Sequence, residues 1–167
     1  MTLYKPAIGN RIEDDIAGIA SAIETLEFKG AMIRMDADQT IAHDTTTELV
    51  WGQAVYDVGG WWDVGTPARL TVPAGVSLVR VTTGVSFAAG ATGRRWLSQR
   101  LDGLSFRGRG FVILHTSPTG ATNLNVVSAV IQVVPGNYIS AEVAHTQGAN
   151  LDIVAAFNTF LAVEAVQ

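Results

Sequence analysis

The sequence predicts a mainly β protein, in which a short N-terminal helix precedes an antiparallel sandwich, barrel or jelly roll. Apolar residues between Ile12 and Leu26 recur at spacings of four, three, four and three, which is a helical period. From residue 31 onward, short alternating segments are separated by turns rich in Gly, Pro and Asn, as in all-β domains. Strands and helices do not alternate along the chain, which argues against α/β folds.

The helical segment has the heptad pattern of a coiled coil. The residues at its a and d positions form one apolar seam: Ile12, Ile16, Ile19, Ile23 and Leu26. Isoleucine at both a and d shifts the preference from two strands toward three or four. Asn10 and Glu13 resemble a capping box and Gly30 is a natural stop, so we expect a trimerising helix over residues 11–29. Because isolated helices of about 15 residues are marginal in water, the β domain must supply most of the trimer contact.

Residues 31–167 are predicted to form the β domain, with eight to ten short strands. The segments with alternating or continuous apolar residues are 31–35, 48–56, 69–72, 77–82, 85–87, 95–101, 110–114, 124–131, 138–144 and 159–166. Turn signals separate them, among them Pro73-Ala74-Gly75 and Pro135-Gly136-Asn137, and residues 36–39 are also turn-like.

Composition favours an oligomer that binds neither nucleic acid nor the membrane interior. Apolar residues make up 48% of the chain and charged residues only 16%, against a usual charged share of about 25%. A net charge of −4 argues against nucleic-acid binding, and no apolar run reaches the roughly 18 residues of a membrane span. The N-terminus lacks a signal-peptide pattern, so a role outside the producing cell would require release by lysis.

Three segments of the β domain resemble the trimeric jelly roll of the complement globular-head and tumour-necrosis-factor superfamily. They are residues 70–81, with a Pro-Ala-Gly turn between two strands, residues 134–143, with a Pro-Gly-Asn-Tyr turn, and the aromatic-rich residues 157–164. The resemblance implies an antiparallel jelly-roll sandwich, a homotrimer and a final strand buried at the trimer axis.

Residues 90–103 resemble phage versions of this domain, in which a loop precedes an Arg-rich strand and an Asp-Gly hairpin turn. Phage virions and gene transfer particles use such domains as trimeric fibre tips. The resemblance implies a head fibre or spike on the capsid exterior that adheres to host surface glycans, made in the bacterial cytoplasm and released by lysis. A capsid decoration protein without a host ligand and a tail-fibre tip remain open as alternatives.

A tryptophan pair behind two glycines is a candidate glycan-binding site. Trp61 and Trp62 could stack on sugar faces while Asp63 accepts hydrogen bonds from hydroxyl groups. The alternative is that one or both rings fill the core or a subunit interface, since adjacent strand residues point to opposite faces.

A cluster of arginines is the second candidate site. Five of the eleven basic residues lie within 16 positions: Arg94, Arg95, Arg100, Arg107 and Arg109. Arg94 and Arg95 in particular could hold an acidic polysaccharide or phosphate through bidentate contacts. Arginines on a solvated edge strand, where they discourage aggregation, are an equal alternative.

The first ten residues are a candidate attachment segment. In a fibre the end opposite the β domain must hold the particle, and Tyr4, Pro6 and Ile8 could anchor an extended chain to a capsid or other virion protein. The alternative is a frayed terminus.

Catalytic and cofactor patterns are absent from the sequence. His43, His115 and His145 lie far apart, and no nucleophile elbow, phosphate-binding loop or metal-ligand spacing occurs. We therefore expect a protein that is not an enzyme and that binds no metal or cofactor, although two of its ten β-domain carboxylates could still converge in space.

Overall fold

The computed structural model of the chain describes residues 8–25, 28–115 and 120–166, which form one helix, α1 (Ile8–Thr25), and thirteen strands. The strands are β1 (Gly30–Arg34), β2 (Gln39–Ile41), β3 (Thr47–Glu48), β4 (Gln53–Val58), β5 (Arg69–Thr71), β6 (Leu78–Phe87), β7 (Arg94–Leu101), β8 (Phe111–His115), β9 (Thr122–Val127), β10 (Ile131–Gln132), β11 (Tyr138–His145), β12 (Leu151–Ile153) and β13 (Phe160–Ala165). In this described part of the chain, no helix is long and apolar enough to cross a membrane.

The strands form two antiparallel sheets that face each other across one core. The large sheet has eight strands in the order β2-β12-β6-β13-β1-β4, with β9 and β10 also paired to β6. The small sheet has five strands in the order β3-β11-β7-β8, with β5 paired to β11. The first strand of the domain therefore pairs with the last, and the predicted antiparallel sandwich is confirmed.

Period-two alternation explains which side chains enter the core. In β13, Leu161 and Val163 are buried between the sheets, while Phe160 and Ala162 face the other way and are half-buried. Strand β9 alternates in the same manner, with buried Leu124 between exposed asparagines. This alternation fixes the register, because a slip of one residue would move the buried set to the opposite face.

The predicted Asp-Gly turn closes the β-ribbon after β7. Asp102 and Gly103 have φ values of +51° and +72°, as a two-residue hairpin loop with positive φ at both positions requires. The Asp102 carboxylate also accepts hydrogen bonds from the Tyr138 backbone N–H at 2.8 Å and the Asn137 side-chain amide at 2.6 Å. One side chain thus ties together the two turns at this end of the small sheet.

A buried amide joins the two sheets. Gln99 on β7 is fully buried, and its Nε2 donates to the Val81 carbonyl and the Thr83 hydroxyl of β6, each at 3.1 Å. Its Oε1 accepts from the Gly110 N–H at 2.7 Å, and a Cβ at position 110 would approach that oxygen to 2.8 Å. The amide therefore satisfies polar groups that the sandwich would otherwise bury unpaired.

The boundaries of α1 differ from the predicted ones. The helix begins at Ile8, so Asn10 lies inside it, and the predictions of a cap at Asn10 and of an extended segment reaching Ile8 are wrong. Ile8 stands four residues before Ile12 and continues the helical period, which explains the earlier start. The predicted helical end at residue 29 is also wrong, because the Lys29 carbonyl already accepts the Ala165 N–H at 2.8 Å beside the sheet.

The strand predictions are also corrected. The predicted segment 48–56 divides into β3 and β4, and the segment 124–131 divides into β9 and β10. The segments 77–82 and 85–87 form one strand, β6, in which Gly84 lies so close to Phe160 that a Cβ would approach its ring to 2.7 Å. Strands β2 and β12 were not predicted; each has only three residues, and they pair at one edge of the large sheet. Such short segments carry too little alternation to be distinguished from turns.

Replacing Gln99 with Leu should lower the free energy of unfolding by about 1–3 kcal/mol, because the Gly110 N–H and the β6 partners lose a buried hydrogen-bond partner. Gln132→Leu is the control, since Gln132 is exposed on β10 and its replacement should change stability by less than about 0.5 kcal/mol. Urea denaturation at one fixed protein concentration measures both. Equal stability of the two variants would contradict the assigned role of the amide.

Candidate functional site

The tryptophan pair does not form an open stacking surface. Trp61 is only 1% exposed, and its indole N–H donates to the Val58 carbonyl at 3.1 Å. Trp62 is half-buried, with its indole N–H 3.4 Å from the Pro67 carbonyl. The alternative of a core-filling ring therefore holds for Trp61, and the prediction that both rings bind a glycan is wrong.

Asp57 explains why the tryptophan loop turns inward. Its two carboxylate oxygens accept the backbone N–H groups of Trp61 and Trp62 at 2.9 and 3.0 Å. Asp63 shapes its own turn in the same way, accepting the Gly65 N–H at 2.7 Å. Asp57 therefore stabilises the loop from within, whereas Asp63 shapes its turn and remains exposed.

The two adjacent arginines occupy opposite environments. Arg95 is fully buried: its Nη1 donates to the Thr92 carbonyl at 2.9 Å and its Nη2 to Gln147 Oε1 at 2.6 Å. No carboxylate among the described residues pairs with it, and burial lowers the pKa of its guanidinium. Arg95 therefore holds the 90–94 loop against the 146–148 loop, and its predicted role as a ligand-binding residue is wrong.

Arg94 remains a candidate for ligand binding. It is exposed, and within the described ranges its guanidinium makes no ion pair. Its backbone is fixed by Thr146, whose hydroxyl accepts the Arg94 N–H at 2.9 Å and whose own N–H donates to the Arg94 carbonyl at 3.1 Å. The side chain therefore projects from a rigid strand end.

A cavity of about 360 Å³ lies on the outer face of the small sheet, and we call it the β7–β8 cavity. The residues that line it are Asp44, Arg94, Trp96, Phe111, Ile113 and Thr146. Trp96 on β7 and Ile113 on β8 are cross-strand partners, and Phe111 lies two residues along β8 on the same side. The cavity thus combines an aromatic and aliphatic floor with a charged and hydroxyl-bearing rim, and sequence inspection missed it.

The other arginines of the cluster do not join this cavity. Arg100 lies on the same sheet face but is engaged by Glu142, at 2.6 Å. Arg109 stacks on the Phe111 ring at 5.2 Å, and Arg107 is exposed in the preceding turn. The five arginines of the sequence cluster therefore have five different surroundings.

The isoleucine seam of α1 is exposed in a single chain. Ile12, Ile16 and Ile19 are 53%, 61% and 60% exposed. The side chain of Ile23, the whole of Leu26 and the anchor candidates Tyr4 and Pro6 lie outside the described residues. Three large apolar side chains facing water along one seam indicate a surface that another chain covers.

The outer face of the large sheet carries an apolar patch, which is bordered by Arg34 and by the exposed Arg80–Glu164 ion pair. Met32, Tyr56, Phe160 and Ala162 lie on neighbouring strands of this face, and two cavities of about 390 and 250 Å³ indent it. Partial burial, and secondarily the charge of Glu164, raises the pKa of the Tyr56 hydroxyl. A solvated face of an antiparallel sheet is normally polar, so this face is unusual for a monomer.

Several exposed apolar residues extend these surfaces. Phe157, in the loop before β13, is 98% exposed beside the larger cavity. On the opposite sheet, Ile113 and Leu114 of edge strand β8 are 46% and 45% exposed. Apolar side chains exposed on an edge strand are uncommon, so β8 is a candidate binding surface.

The two histidines whose side chains the structure describes, His43 and His145, make structural hydrogen bonds. His145 is buried with Nε2 3.0 Å from the Ile41 carbonyl, and His43 accepts the Gly148 N–H through Nδ1 at 2.9 Å. Across the described ranges, no three His, Asp or Glu side chains gather as metal ligands.

Comparison with solved structures defines the fold class. Crystal structures of murine APRIL at pH 5.0, 8.0 and 8.5 align with TM-scores of 0.56, 0.54 and 0.52 and identities of 14%, 15% and 16%. They cover 84%, 84% and 83% of this chain and 100% of theirs. A structure of Eiger TNF from S. frugiperda aligns at 0.48, with 14% identity over 84% of this chain and 93% of its own.

These alignments identify a tumour-necrosis-factor-like jelly roll, as the sequence resemblance implied. At such identities the likeness concerns the fold alone. No protein-family model matches the sequence, and no curated protein matches it.

Replacing Arg95 with Ala should cost about 2–4 kcal/mol of stability, because it leaves a void and removes partners from buried carbonyls and the Gln147 amide. Arg94→Ala is the matched control and should change stability by less than about 0.5 kcal/mol. Thermal unfolding of both variants at equal concentration is the measurement. Equal unfolding temperatures would contradict the contrast drawn between the two residues.

Proposed function

We propose that the protein is a homotrimeric surface appendage of a phage or gene transfer particle, a head fibre or spike that adheres to host surface glycans. The observation that carries the proposal is that a chain with a complete core still exposes three isoleucines along one helical seam. Fibre proteins need such a chain: a β domain that binds and a helix that aligns identical copies.

The trimer is supported by two independent surfaces. The seam has isoleucine at a and d, which favours three or four strands over two. The outer face of the large sheet places Met32, Phe160 and Ala162 where a monomer would present polar residues. Closed symmetry would bury both surfaces without leaving a copy unpaired.

Attachment to the particle is assigned to the N-terminal segment, which includes Tyr4 and Pro6. That segment precedes α1, so in a trimer three copies would emerge together from one end of the helical neck. Three weak contacts to a capsid protein, or three to a host glycan, gain affinity because each binding event raises the effective concentration for the next. The protein needs no catalytic group for this role.

Replacing Ile16 and Ile23 with Asn should separate the helices but leave the β domains trimeric, because the sheet faces supply most of the contact area. Cross-linking followed by mass determination reports the subunit number. The control is Asp14→Asn with Asp15→Asn, which alters two exposed helix positions off the seam. Dissociation of the seam variant into monomers would show that the helix, and not the β domain, holds the trimer.

Adhesion is tested with the purified chain on an array of neutral and acidic bacterial polysaccharides. We expect saturable binding that becomes weaker when the trimer is dissociated by dilution. A consistent lack of binding would contradict adhesion and favour a capsid decoration protein. Gold labelling of whole particles locates the chain, and labels at the tail would contradict the head-fibre assignment.

A further inference from the structure

We infer that the β7–β8 cavity binds an acidic saccharide, with a pyranose ring over Trp96 and Phe111 and a carboxylate of the sugar on Arg94. The inference rests on the proposed adhesive function and names its site and ligand class. The tryptophan loop, the other candidate glycan site, cannot stack both of its rings on a saccharide because Trp61 is buried.

The cavity has the size and composition of a small-ligand site. Its volume of about 360 Å³ falls within the range of roughly 300–1,000 Å³ that is typical of such sites. Its floor is formed by half-buried Trp96 with Phe111 and Ile113, which are 47% and 46% exposed. Aromatic rings held on paired strands offer a flat apolar surface at low entropic cost, as the C–H face of a sugar ring requires.

The rim of the cavity supplies both a cationic and an anionic side chain. Arg94 presents a guanidinium whose planar fork fits a carboxylate, and Asp44 presents a carboxylate that can accept hydrogen bonds from sugar hydroxyl groups. Both residues line the cavity, yet no ion pair joins them, so neither neutralises the other. The indole N–H of Trp96 likewise makes no hydrogen bond to another described residue and remains available as a donor.

The rim is also rigid before any ligand arrives. Thr146 pairs with the Arg94 backbone in both directions, and the Asp44 N–H donates to the His145 carbonyl at 2.9 Å. Asp44 has a φ of +51°, a left-handed conformation that Asp tolerates better than most residues. Arg95, the next residue in the chain, is buried and holds the same loop through hydrogen bonds to the Thr92 carbonyl and the Gln147 side chain. Because the backbone of the rim is already held in place, binding should require ordering of the Arg94 and Asp44 side chains alone.

The ligand preference follows from charge and shape together. A free inorganic anion would satisfy Arg94 but leave the aromatic floor uncovered. A neutral sugar would cover the floor but leave Arg94 unpaired, and a purely apolar ligand would bury Asp44 without a partner. A uronic acid unit matches all three features, since it carries an apolar ring face, hydroxyl groups and a carboxylate.

The test titrates the full-length protein with hexagalacturonate, with maltohexaose as the neutral counterpart and with inorganic sulfate as the bare anion. Nuclear magnetic resonance follows the indole N–H signals, and Trp96→Phe assigns the relevant one. Hexagalacturonate should shift the Trp96 signal and leave those of buried Trp51 and Trp61 in place. It should bind more tightly than maltohexaose, and sulfate should bind too weakly to saturate.

Single-residue variants test whether saccharide binding depends on this cavity or only on the overall charge of the protein. Arg94→Ala should weaken hexagalacturonate binding about tenfold or more, whereas Arg107→Ala, which removes the same charge from an exposed turn, should have little effect. Phe111→Ala should also weaken binding, with Leu104→Ala, at an exposed position outside the cavity, as its control. Sedimentation of each variant checks its subunit number.

Four results would overturn the inference. The first is an equal loss of hexagalacturonate affinity in Arg94→Ala and Arg107→Ala, and the second is saturable sulfate binding that shifts the Trp96 signal as strongly as the saccharide does. The third is a Trp96 signal that does not move when the saccharide is added. The fourth is dissociation of the Phe111→Ala variant into monomers. Dissociation of the Phe111→Ala variant would show that the cavity is a contact between subunits. If array binding persists while Trp96 does not shift, this site is wrong and adhesion stands. If no saccharide binds at all, adhesion itself fails.

Discussion

Strand β13 carries apolar side chains on both of its faces, and the proposed trimer depends on that pattern. Leu161 and Val163 enter the core, whereas Phe160 and Ala162 face outward from the large sheet. Its neighbour β1 repeats the pattern, with buried Ile33 and outward Met32. The small sheet covers the inner face. In the proposed trimer a neighbouring chain would remove the apolar part of the outer face from water, and the hydrophobic effect favours that removal in proportion to the area buried.

The same alternation decides which polar groups have structural roles and which are free to bind. Along β7, Arg95 and Gln99 point between the sheets with Leu97, and each finds hydrogen-bond partners inside. Arg94 and Trp96 point outward, where the first has an open guanidinium and the second an open ring face. One strand therefore stabilises the sandwich through one face and, in our proposal, recognises a ligand through the other.

Local chemistry that spans a few residues could be predicted from the sequence. The Asp102-Gly103 turn, the core positions of β9 and β13 and the antiparallel sandwich all follow from period-two alternation and residues that favour positive φ. The inward direction of Arg95 could also have been found, because Arg95 shares its parity with the core residue Leu97. The sequence cluster of arginines concealed this, since charged residues are usually assumed to face water.

Long-range contacts could not be predicted in the same way. The burial of Trp61 depends on the Asp57 carboxylate and on packing across the sandwich, and no local pattern signals either. The β7–β8 cavity brings Asp44, Arg94 and Phe111 together from three separate segments, so its existence follows only from strand pairing. A coiled-coil seam, by contrast, is visible in sequence, although its exposure in one chain is a structural finding.

The central claim is that the apolar seam and sheet faces are covered by two further copies of the same chain. Sedimentation equilibrium of the unmodified full-length protein tests it most directly, since the method reports mass without assuming a shape. For a chain of 17.7 kDa, the account predicts one species at three times that mass over a wide concentration range. A stable species with the mass of a single chain, with the seam and sheet faces left in water, would contradict it.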